Sequence, residues 1–386
     1  MKKVIRLNSI SNLVEKRFNG IYEYGENLEN PEGIILRSFN MHEYETGSNL
    51  LAVARAGAGV NNIPIPKMSE KGIVVFNTPG ANANAVKELV VCAMLLGSRK
   101  IYEGITWAQN LSKEEDVAKL VEKGKSQFVG REILGKTLGV LGLGAIGSKV
   151  ANVAVDLGMT VYGYDPFISV EAAWKLSRKV LCEKEKDGLF AESDYITLHM
   201  PLTPDTKYMI NKESIAKMKD GVCIINCARG ELVNNDDIKE ALASGKVSKY
   251  VTDFPVADLL GVDGVITIPH LGASSPEAED NCAVMAADSL VNYLEYGIVK
   301  NSVNFPTVEA GTVFAHRTTI VHKNVSSMIN LATKPFSDAG INIANMVSAS
   351  RGDIGYMIID TDSAPTEEVV KALEVQEGFL KVRVIG

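Results

Sequence analysis

The chain has 386 residues, of which 46% are hydrophobic and 23% charged, and these proportions are typical of a globular protein rather than a disordered or fibrous one. Its length favours two or three domains. The net charge of −7 argues against a nucleic-acid-binding surface, so any anionic ligand must be held by a local cluster of Arg or Lys.

Neither a secretory signal nor a membrane span is predicted. The first residues, MKKVIRLN, are basic, but Arg6 and Asn8 interrupt any apolar core. The apolar stretch VVCAMLL is too short to cross a bilayer. Cys223 and Cys227 would lie about 13 Å apart on one predicted strand, too far for a disulfide. We therefore expect a reduced, cytoplasmic location, with no membrane, nucleic-acid or metal partner.

The first 92 residues alternate between short apolar runs and helical patterns, with helical character in Ser9–Phe18. Such alternation predicts a parallel sheet covered by helices, and a further helix is predicted at Asn84–Lys100. A further helix is predicted at 104–123. The strands are predicted at Lys3–Leu7, Ile34–Arg37, Leu50–Arg55 and Ile73–Asn77.

The stretch from Thr137 to Asp165 has the order of a dinucleotide-binding βαβ unit. An apolar strand leads into GLGAIG at 142–147, a helical pattern follows, and a second strand ends on Asp165. Gly142 permits the tight turn, Gly144 lets a pyrophosphate approach bare backbone, and Gly147 lets helix and strand pack closely. The helix start, with Ala145 and Ile146 beside these glycines, offers free N–H groups to the phosphates.

Asp165 predicts which dinucleotide binds. An acid at the end of the second strand can accept hydrogen bonds from both ribose hydroxyls and repels a 2′-phosphate. No Lys or Arg follows until Lys175. The predicted cofactor is therefore NAD rather than NADP.

The same alternation continues to residue 296 and predicts one doubly wound domain. Helices are predicted at Lys212–Met218, Asp236–Ala243 and Pro276–Tyr296. After an irregular linker near residue 300, a βαββαβ order over residues 316–386 predicts a ferredoxin-like unit. The strands of the doubly wound part are predicted at Tyr195–His199, Val222–Cys227, Lys249–Asp253 and Val265–Ile268.

Several polar residues follow the predicted strands, where ligands bind in open α/β sheets. Arg229 follows one strand and His270 another, while Asp253 ends a third. An Arg can grip a substrate carboxylate with two hydrogen bonds. A His can exchange the hydroxyl proton of a 2-hydroxy acid, and a carboxylate can favour its protonated form. Met200 and Pro201, in the sequence HMPL, are expected to line the cofactor cleft with backbone.

At this point the chain resembles the D-2-hydroxyacid dehydrogenases, and among them the phosphoglycerate dehydrogenases. The similar motifs are RAGAGVNNI at 55–63, GLGAIG at 142–147, NCARG at 226–230 and PHLGAS at 269–274. The C-terminal HKN at 322–324 and AGINIANM at 339–346 resemble an ACT regulatory domain. The resemblance implies a flavodoxin-like substrate domain (1–92, completed by 281–305), an NAD-binding Rossmann domain (93–280), a returning helix and linker (281–315) and an ACT-like domain (316–386).

The resemblance also implies roles for individual residues. Arg229 and His270 would be catalytic, and Arg37, Ser38 and Arg55, with Arg229, would hold the substrate's anionic groups. An L-serine effector would contact His322, Asn324 and Asn342. The family implies a homodimer or homotetramer. The cofactor-lining positions would be Cys227, Ala228, Asp253 and Gly272 in the loop after His270, besides the glycine turn and Asp165.

Two departures from the family pattern affect these assignments. The usual Glu after the strand-end Asp is missing from TDFPVADLLGVDG, so Asp258 is the first candidate for the catalytic carboxylate and Asp263 the second. In the ACT-like unit, VSSM replaces the usual Pro-Gly after Asn324.

Three functions follow as expectations. The first is NAD-dependent oxidation of 3-phospho-D-glycerate, the first step of L-serine synthesis. The second is oxidation of another 2-hydroxy acid, such as glycerate or lactate. The third is an NAD-sensing binding protein with the same fold. The pair Arg37 and Arg55 favours a substrate with more than one anionic group.

Overall fold

The computed structural model describes residues 1–385 and divides into two compact units. The first contains Met1–Ala81 and the chain from Glu279 onward, and the second contains Asn82–Ala278. Within the described residues, no helix is long and apolar enough to cross a membrane.

The amino-terminal part of the first unit is a five-stranded parallel sheet in the order β2-β1-β3-β4-β5. Its central strands are fully buried, which explains their continuous apolar sequences. The sequence prediction missed β2, a short strand at the edge. The elements are β1 (Lys2–Arg6), α1 (Glu15–Phe18), β2 (Tyr22–Gly25), β3 (Gly33–Leu36), β4 (Ala52–Arg55), α2 (Ile65–Glu70) and β5 (Val74–Phe76).

The second unit begins with a helical region that differs from the prediction. Helix α3 (Ala83–Ser98) is continuous, so the unit starts at Asn82 and not at residue 93. The single helix predicted at 104–123 is two helices, α4 (Ile101–Asn110) and α5 (Val117–Gly124). The Asp116 side chain accepts a hydrogen bond from the N–H of Lys119 and caps the second helix.

The rest of the second unit is the predicted doubly wound sheet, with seven parallel strands in the order β12-β11-β10-β9-β6-β7-β8. The chain runs from β6 outward to β8 and then returns to β9 on the other side of β6. Ligands bind at such a switch point. The elements are β6 (Thr137–Leu141), α6 (Gly147–Asp156), β7 (Thr160–Tyr164), α7 (Val170–Trp174), β8 (Val180–Cys182), α8 (Lys186–Glu192), β9 (Tyr195–Leu198), α9 (Lys212–Ala216), β10 (Val222–Asn226), α10 (Asn235–Ala243), β11 (Val247–Thr252) and β12 (Val265–Thr267).

The C-terminal part of the first unit has the predicted ferredoxin-like topology. Its four strands form an antiparallel sheet in the order β14-β15-β13-β16. The boundary between the two units along the chain falls within helix α11, because only its residues from Glu279 onward belong to the first unit. The elements are α11 (Pro276–Tyr296), β13 (His316–Lys323), α12 (Met328–Asp338), β14 (Ile343–Arg351), β15 (Ile354–Thr361), α13 (Glu367–Glu374) and β16 (Phe379–Ile385).

This ferredoxin-like part is not a separate body, in contrast to the domain predicted at 316–386. One hydrophobic core joins Val321, Tyr356 and Ile358 of its sheet to Tyr293 of α11 and to Phe76 of the amino-terminal sheet. The opposite face of the sheet packs against its own helices. Strand β15 is buried along its whole length because both faces are covered.

Arg317 connects the parts of the first unit through a fully buried side chain. Its guanidinium donates to both carboxylate oxygens of Asp360, at 2.6 and 2.8 Å. It also donates to the carbonyls of Tyr296 at the end of α11 and of Ala310 and Gly311 in the linker. All five N–H donors of the planar group therefore have an acceptor, and the carboxylate of Asp360 among these acceptors is itself buried.

Replacing Arg317 by Ala should strongly destabilise this part of the fold. The change leaves the Asp360 carboxylate buried without its partner, which costs roughly 3–5 kcal/mol. Hydrogen exchange read by mass spectrometry should show faster exchange in β13 and β15. Lys371→Ala is the control, because its ion pair with Glu367 is exposed. Equal protection in both variants would contradict this role of Arg317.

Candidate functional site

The turn after β6 has the geometry of a dinucleotide-binding glycine turn. Gly142 has φ +88°, and a Cβ there would lie 2.7 Å from the His199 carbonyl oxygen. A Cβ on Gly147 would lie 1.9 Å from the Gly142 carbonyl oxygen. A Cβ on Gly144 would meet no atom within 4 Å. The first and third glycines are required by packing, whereas the second borders open space where a pyrophosphate could approach.

The residues after the turn present a helix start to that space. Ala145 is exposed and Ile146 is half-buried. No side chain caps α6, and the Ser148 hydroxyl instead donates to the Gly144 carbonyl at 2.8 Å. The first N–H groups of this helix are thus directed at open space and can bind an anion.

Asp165 is anchored beside the glycine turn. Its carboxylate accepts hydrogen bonds from the N–H of Leu143 at 2.8 Å and of Phe167 at 2.9 Å. Each oxygen uses one acceptor position and retains another for a ribose hydroxyl. These contacts place the negative charge at the end of β7, where sequence analysis expects it.

The segment after β9 packs against the glycine turn at 142–147. The Cβ of His199 would lie 3.3 Å from a Cβ on Gly147. Burial lowers the pKa of His199 to about 3, so the ring is neutral at physiological pH, and its Nε2 is 2.9 Å from the Thr197 hydroxyl. Met200 is half-buried and Pro201 is exposed. Both lie within three residues of the end of β9, and their role in lining the cofactor cleft stays a prediction.

The loop that carries Arg229 is held by a side chain that sequence analysis missed. The buried amide of Asn226 accepts hydrogen bonds from the N–H groups of Ala228 and Arg229, at 3.1 and 3.3 Å, and donates to the Arg229 carbonyl at 2.8 Å. Arg229 itself is exposed, and its guanidinium donates to the Ala228 carbonyl. Cys227 is buried in this loop, and burial raises the pKa of its thiol to about 12, so it is unreactive.

The loop that carries His270 is held by Asp253. The buried Asp253 carboxylate accepts hydrogen bonds from the N–H of Leu271 at 2.7 Å and of Gly272 at 3.0 Å. His270 is exposed and has φ +54°, a left-handed conformation that costs a residue with a side chain roughly 1–3 kcal/mol. Its ring packs on Phe254, with centroids 4.9 Å apart.

The carboxylate predicted to pair with His270 is engaged elsewhere. Asp258 lines the same cavity as His270, of about 720 Å³. Its oxygens instead contact the Asn235 amide and the Lys239 ammonium, each at 3.4 Å. Asp263 is exposed. Within residues 1–385, no carboxylate accepts a hydrogen bond from the His270 ring, because the short loop leads Asp258 toward α10.

The predicted substrate residues lie at the carboxyl edge of the sheet in the first unit. The Arg37 guanidinium forms an ion pair with Glu279 at 2.7 Å. The backbone N–H of Arg37 donates to the side-chain oxygen of Asn8, and the Asn8 amide nitrogen donates to the Ser38 hydroxyl at 3.3 Å. Arg55 donates to the carbonyls of Arg37 and Gly59. Burial and the neighbouring positive charge of Arg37 lower the pKa of Arg55. Arg37 and Arg55 therefore form a local cluster of positive charge, in which Glu279 compensates the charge of Arg37.

The sequence signals for the supporting residues differ. Asn8 follows a predicted strand and could have been found as a polar residue at the sheet edge. Asn226 lies inside an apolar strand, and Glu279 is more than 240 positions from Arg37 in the chain, so neither residue could be recognised from a local sequence pattern.

The three residues predicted to bind L-serine do not come together within one copy of the chain. His322 and Asn324 lie at the end of β13, where His322 is opposite Gly355 and Asn324 donates to the Gly352 carbonyl. Asn342 precedes β14 and donates to Asp362 at the other end of the sheet. His322 lies beside the first residues of β15, and Asn342 lies beside Asp362 just after its last residue. Strand β15 is eight residues long, so these two positions are roughly 20 Å apart.

Comparison with known proteins identifies residues 91–272 as a D-isomer specific 2-hydroxyacid dehydrogenase, NAD binding domain. The chain is 32% identical over 356 residues to a D-3-phosphoglycerate dehydrogenase of Haemophilus influenzae, covering 88% of this chain and 82% of that protein. It is 40% identical over 263 residues to a hydroxypyruvate reductase of Thermotoga maritima, covering 66% and 80%. The chain spans about half the length of several other curated relatives that it matches.

A solved structure supports the same relationship. The NAD⁺-bound 3-phosphoglycerate dehydrogenase of Entamoeba histolytica superposes with a TM-score of 0.60 at 27% sequence identity. The superposition covers 78% of this chain and 98% of that one.

The glycine turn generates a matched pair of predictions. Gly144→Ala should leave the fold intact, since the new methyl group meets open space, but should weaken NADH binding at least roughly tenfold because it occupies the phosphate approach. Gly147→Ala should both weaken binding and destabilise the unit, since its methyl group would overlap the Gly142 carbonyl. Fluorescence titration with NADH and thermal unfolding separate the two effects. Normal NADH affinity in Gly144→Ala would exclude the turn from the cofactor site.

Proposed function

This chain belongs to the D-isomer-specific 2-hydroxyacid dehydrogenase family, and we propose that it oxidises 3-phospho-D-glycerate to 3-phosphooxypyruvate with NAD. The observation that carries the proposal is the arrangement along one sheet edge. The glycine turn, Asp165, Arg229 and His270 all follow the carboxyl ends of parallel strands in the second unit.

The proposed chemistry divides between two side chains. Arg229 holds the substrate carboxylate and polarises the neighbouring carbon–oxygen bond. His270 takes the hydroxyl proton as the C2–H bond breaks and returns it in the reverse direction. NAD, when bound, supplies the acceptor for the hydride from C2. The exposed position of both side chains allows them to reach a bound substrate.

The phosphorylated substrate is favoured by charge. Arg37 and Arg55 lie close enough for the charge of Arg37 to lower the pKa of Arg55, and a dianionic phosphate would relieve that repulsion. Several relatives are named D-3-phosphoglycerate dehydrogenase. A smaller substrate such as hydroxypyruvate is the second candidate, because a hydroxypyruvate reductase is 40% identical to this chain. The regulatory role of the C-terminal unit, the L-serine effector and the oligomeric state remain predictions.

Turnover with a panel of substrates tests the proposal. We expect NADH to form with 3-phospho-D-glycerate at a higher kcat/KM than with glycerate or lactate. His270→Ala should lower kcat by at least roughly 10²-fold, since it removes the general base, with little change in NAD affinity. His42→Ala is the matched control, because His42 is exposed and its ring contacts only the Asn61 carbonyl. Near-normal kcat in His270→Ala, with chemistry limiting the rate, would contradict the assignment.

Asp165 should enforce the preference for NAD over NADP. Asp165→Ala removes the repulsion of a 2′-phosphate and the acceptor for the ribose hydroxyls. The ratio of kcat/KM with NAD to kcat/KM with NADP should therefore fall. Asp156→Ala, which changes an exposed acid at the end of the adjacent helix, should leave the ratio unaltered. The proposal for Asp165 fails if its own variant keeps the wild-type ratio.

A further inference from the structure

We propose that a cavity at the amino-terminal edge of the seven-stranded sheet binds a small anion that carries two or more linked phosphate groups. The cavity belongs wholly to the second unit and has a volume of about 420 Å³, which is within the range of small-ligand sites. Its residues from the sheet lie at the starts of the strands, whereas the glycine turn, Arg229 and His270 follow the strand ends. The site is therefore separate from the proposed active site, and the inference goes beyond the proposed function.

The lining of this cavity concentrates positive charge in a chain whose net charge is −7. Its five cationic side chains are those of Arg99, Lys100, Arg131, Lys136 and Lys249. The one acid, Asp194, is already engaged, because its oxygens accept a hydrogen bond from the Thr137 N–H at 2.8 Å and contact the Lys219 ammonium at 3.6 Å. Lys249 is paired with Glu103 at 2.6 Å, and in the part of the chain that the structure describes the other four cations form no ion pair. Four uncompensated cations around one cavity create a positive potential that attracts an anion.

The sheet brings these charges to one place. Strands β11, β10, β9 and β6 are consecutive neighbours, and the cavity borders the first residues of all four. Neighbouring strands lie about 4.8 Å apart, so the four strand starts span roughly 15 Å, and long Lys and Arg side chains can converge on one ligand over that distance. The residues that mark these starts are Lys136 before β6, Asp194 before β9, Gly221 before β10 and Lys249 within β11.

The two arginines come from backbone segments that pack against each other. The N–H of Arg131 donates to the Ser98 carbonyl at 2.9 Å. A Cβ on Gly130 would lie 2.6 Å from the Cα of Arg99, so only a glycine permits this contact. Both terminal nitrogens of Arg131 are 3.7 Å from the Cβ position of Gly221, which also lines the cavity. These contacts fix where the two guanidinium groups start, and both side chains are exposed to a ligand.

The number of unpaired cations sets the class of anion. A phosphate monoester carries a charge of about −1.5 to −2 at pH 7, so two linked phosphates are needed to balance four cations. A single carboxylate would leave most of the positive charge uncompensated. Guanidinium groups also donate two parallel hydrogen bonds to phosphate oxygens, and lysine ammonium groups bind phosphate as point charges. The ligand is therefore a diphosphate or triphosphate group, either inorganic or carried by a nucleotide.

Isothermal titration calorimetry of the whole chain tests the proposal, with inorganic tripolyphosphate as the probe and saturating NADH to occupy the glycine turn. We expect saturable binding of tripolyphosphate to the wild-type protein. Arg131→Gln should weaken this binding at least roughly tenfold, because it removes a hydrogen bond between charged groups. Arg99→Gln should have a similar effect, and it replaces Arg131→Gln if thermal unfolding shows that variant to be unfolded.

The matched control is Arg178→Gln. Arg178 is an exposed arginine shortly before β8, at the same edge of the sheet but outside the cavity lining. Its replacement removes the same charge and should leave the affinity for tripolyphosphate unaltered. An equal loss of affinity in Arg178→Gln would overturn the proposal, because it would reduce the binding to general surface charge.

Two further ligands define the chemistry of the site. ATP carries the same three linked phosphates, so tighter binding of ATP than of tripolyphosphate assigns the site to a nucleotide, and the reverse order assigns it to an inorganic polyphosphate. Citrate, which carries carboxylates instead, should bind more weakly than either.

Three other results would overturn the proposal. They are no binding of tripolyphosphate at millimolar concentration, binding of citrate as tight as that of tripolyphosphate, and wild-type affinity in both Arg131→Gln and Arg99→Gln. Calorimetry requires no turnover, so the result is independent of whether the chain oxidises any of the hydroxy acids tested.

Discussion

The close contact between Gly147 and the Gly142 carbonyl sets how helix α6 and the neighbouring strand ends meet at the cofactor turn. Helix α6 can approach β6 this closely only because Gly147 has no side chain. The same turn rests on the His199 backbone at the end of β9, and Asp165 at the end of β7 accepts a hydrogen bond from Leu143 within the turn. The ends of three neighbouring strands are therefore fixed relative to one another by backbone contacts, before any ligand is considered.

The sequence predicted the elements whose signals are local. Strands buried on both faces are continuous apolar runs, and for this reason β3, β6, β9 and β10 were found within a few residues. Strand β2 (Tyr22–Gly25) and strand β8 (Val180–Cys182) were missed, because they are short edge strands with polar or exposed residues. The predicted start of the second unit, at residue 93, lies inside helix α3. The sequence pattern shows that α3 is a helix, but only its packing assigns the whole helix to the second unit.

The site was predicted to the extent that it depends on strand ends. Arg229 and His270 follow β10 and β12 as expected. The supporting contacts could not be predicted, because they join residues far apart in sequence. Asp253 reaches Gly272 across nineteen positions, and a loop shorter than the family pattern turns Asp258 toward Lys239. A motif identifies which residue types a reaction needs, but the residue that holds them in place depends on the conformation of each loop.

The C-terminal part of the first unit contacts the end of helix α11, which belongs to the scaffold of the predicted substrate residues. The last carbonyls of a helix have no partner within the helix, and here the ferredoxin-like part supplies donors for them. Arg383 donates to the carbonyls of Tyr293 and Leu294, and Arg317 donates to that of Tyr296. The Tyr356 hydroxyl donates to the Gly297 carbonyl just beyond.

The same helix, α11, carries Glu279, which holds Arg37. The C-terminal sheet and Arg37 are connected through one continuous helix. Arg317 also donates to the carbonyls of Ala310 and Gly311, so one buried side chain joins the linker to the end of the helix.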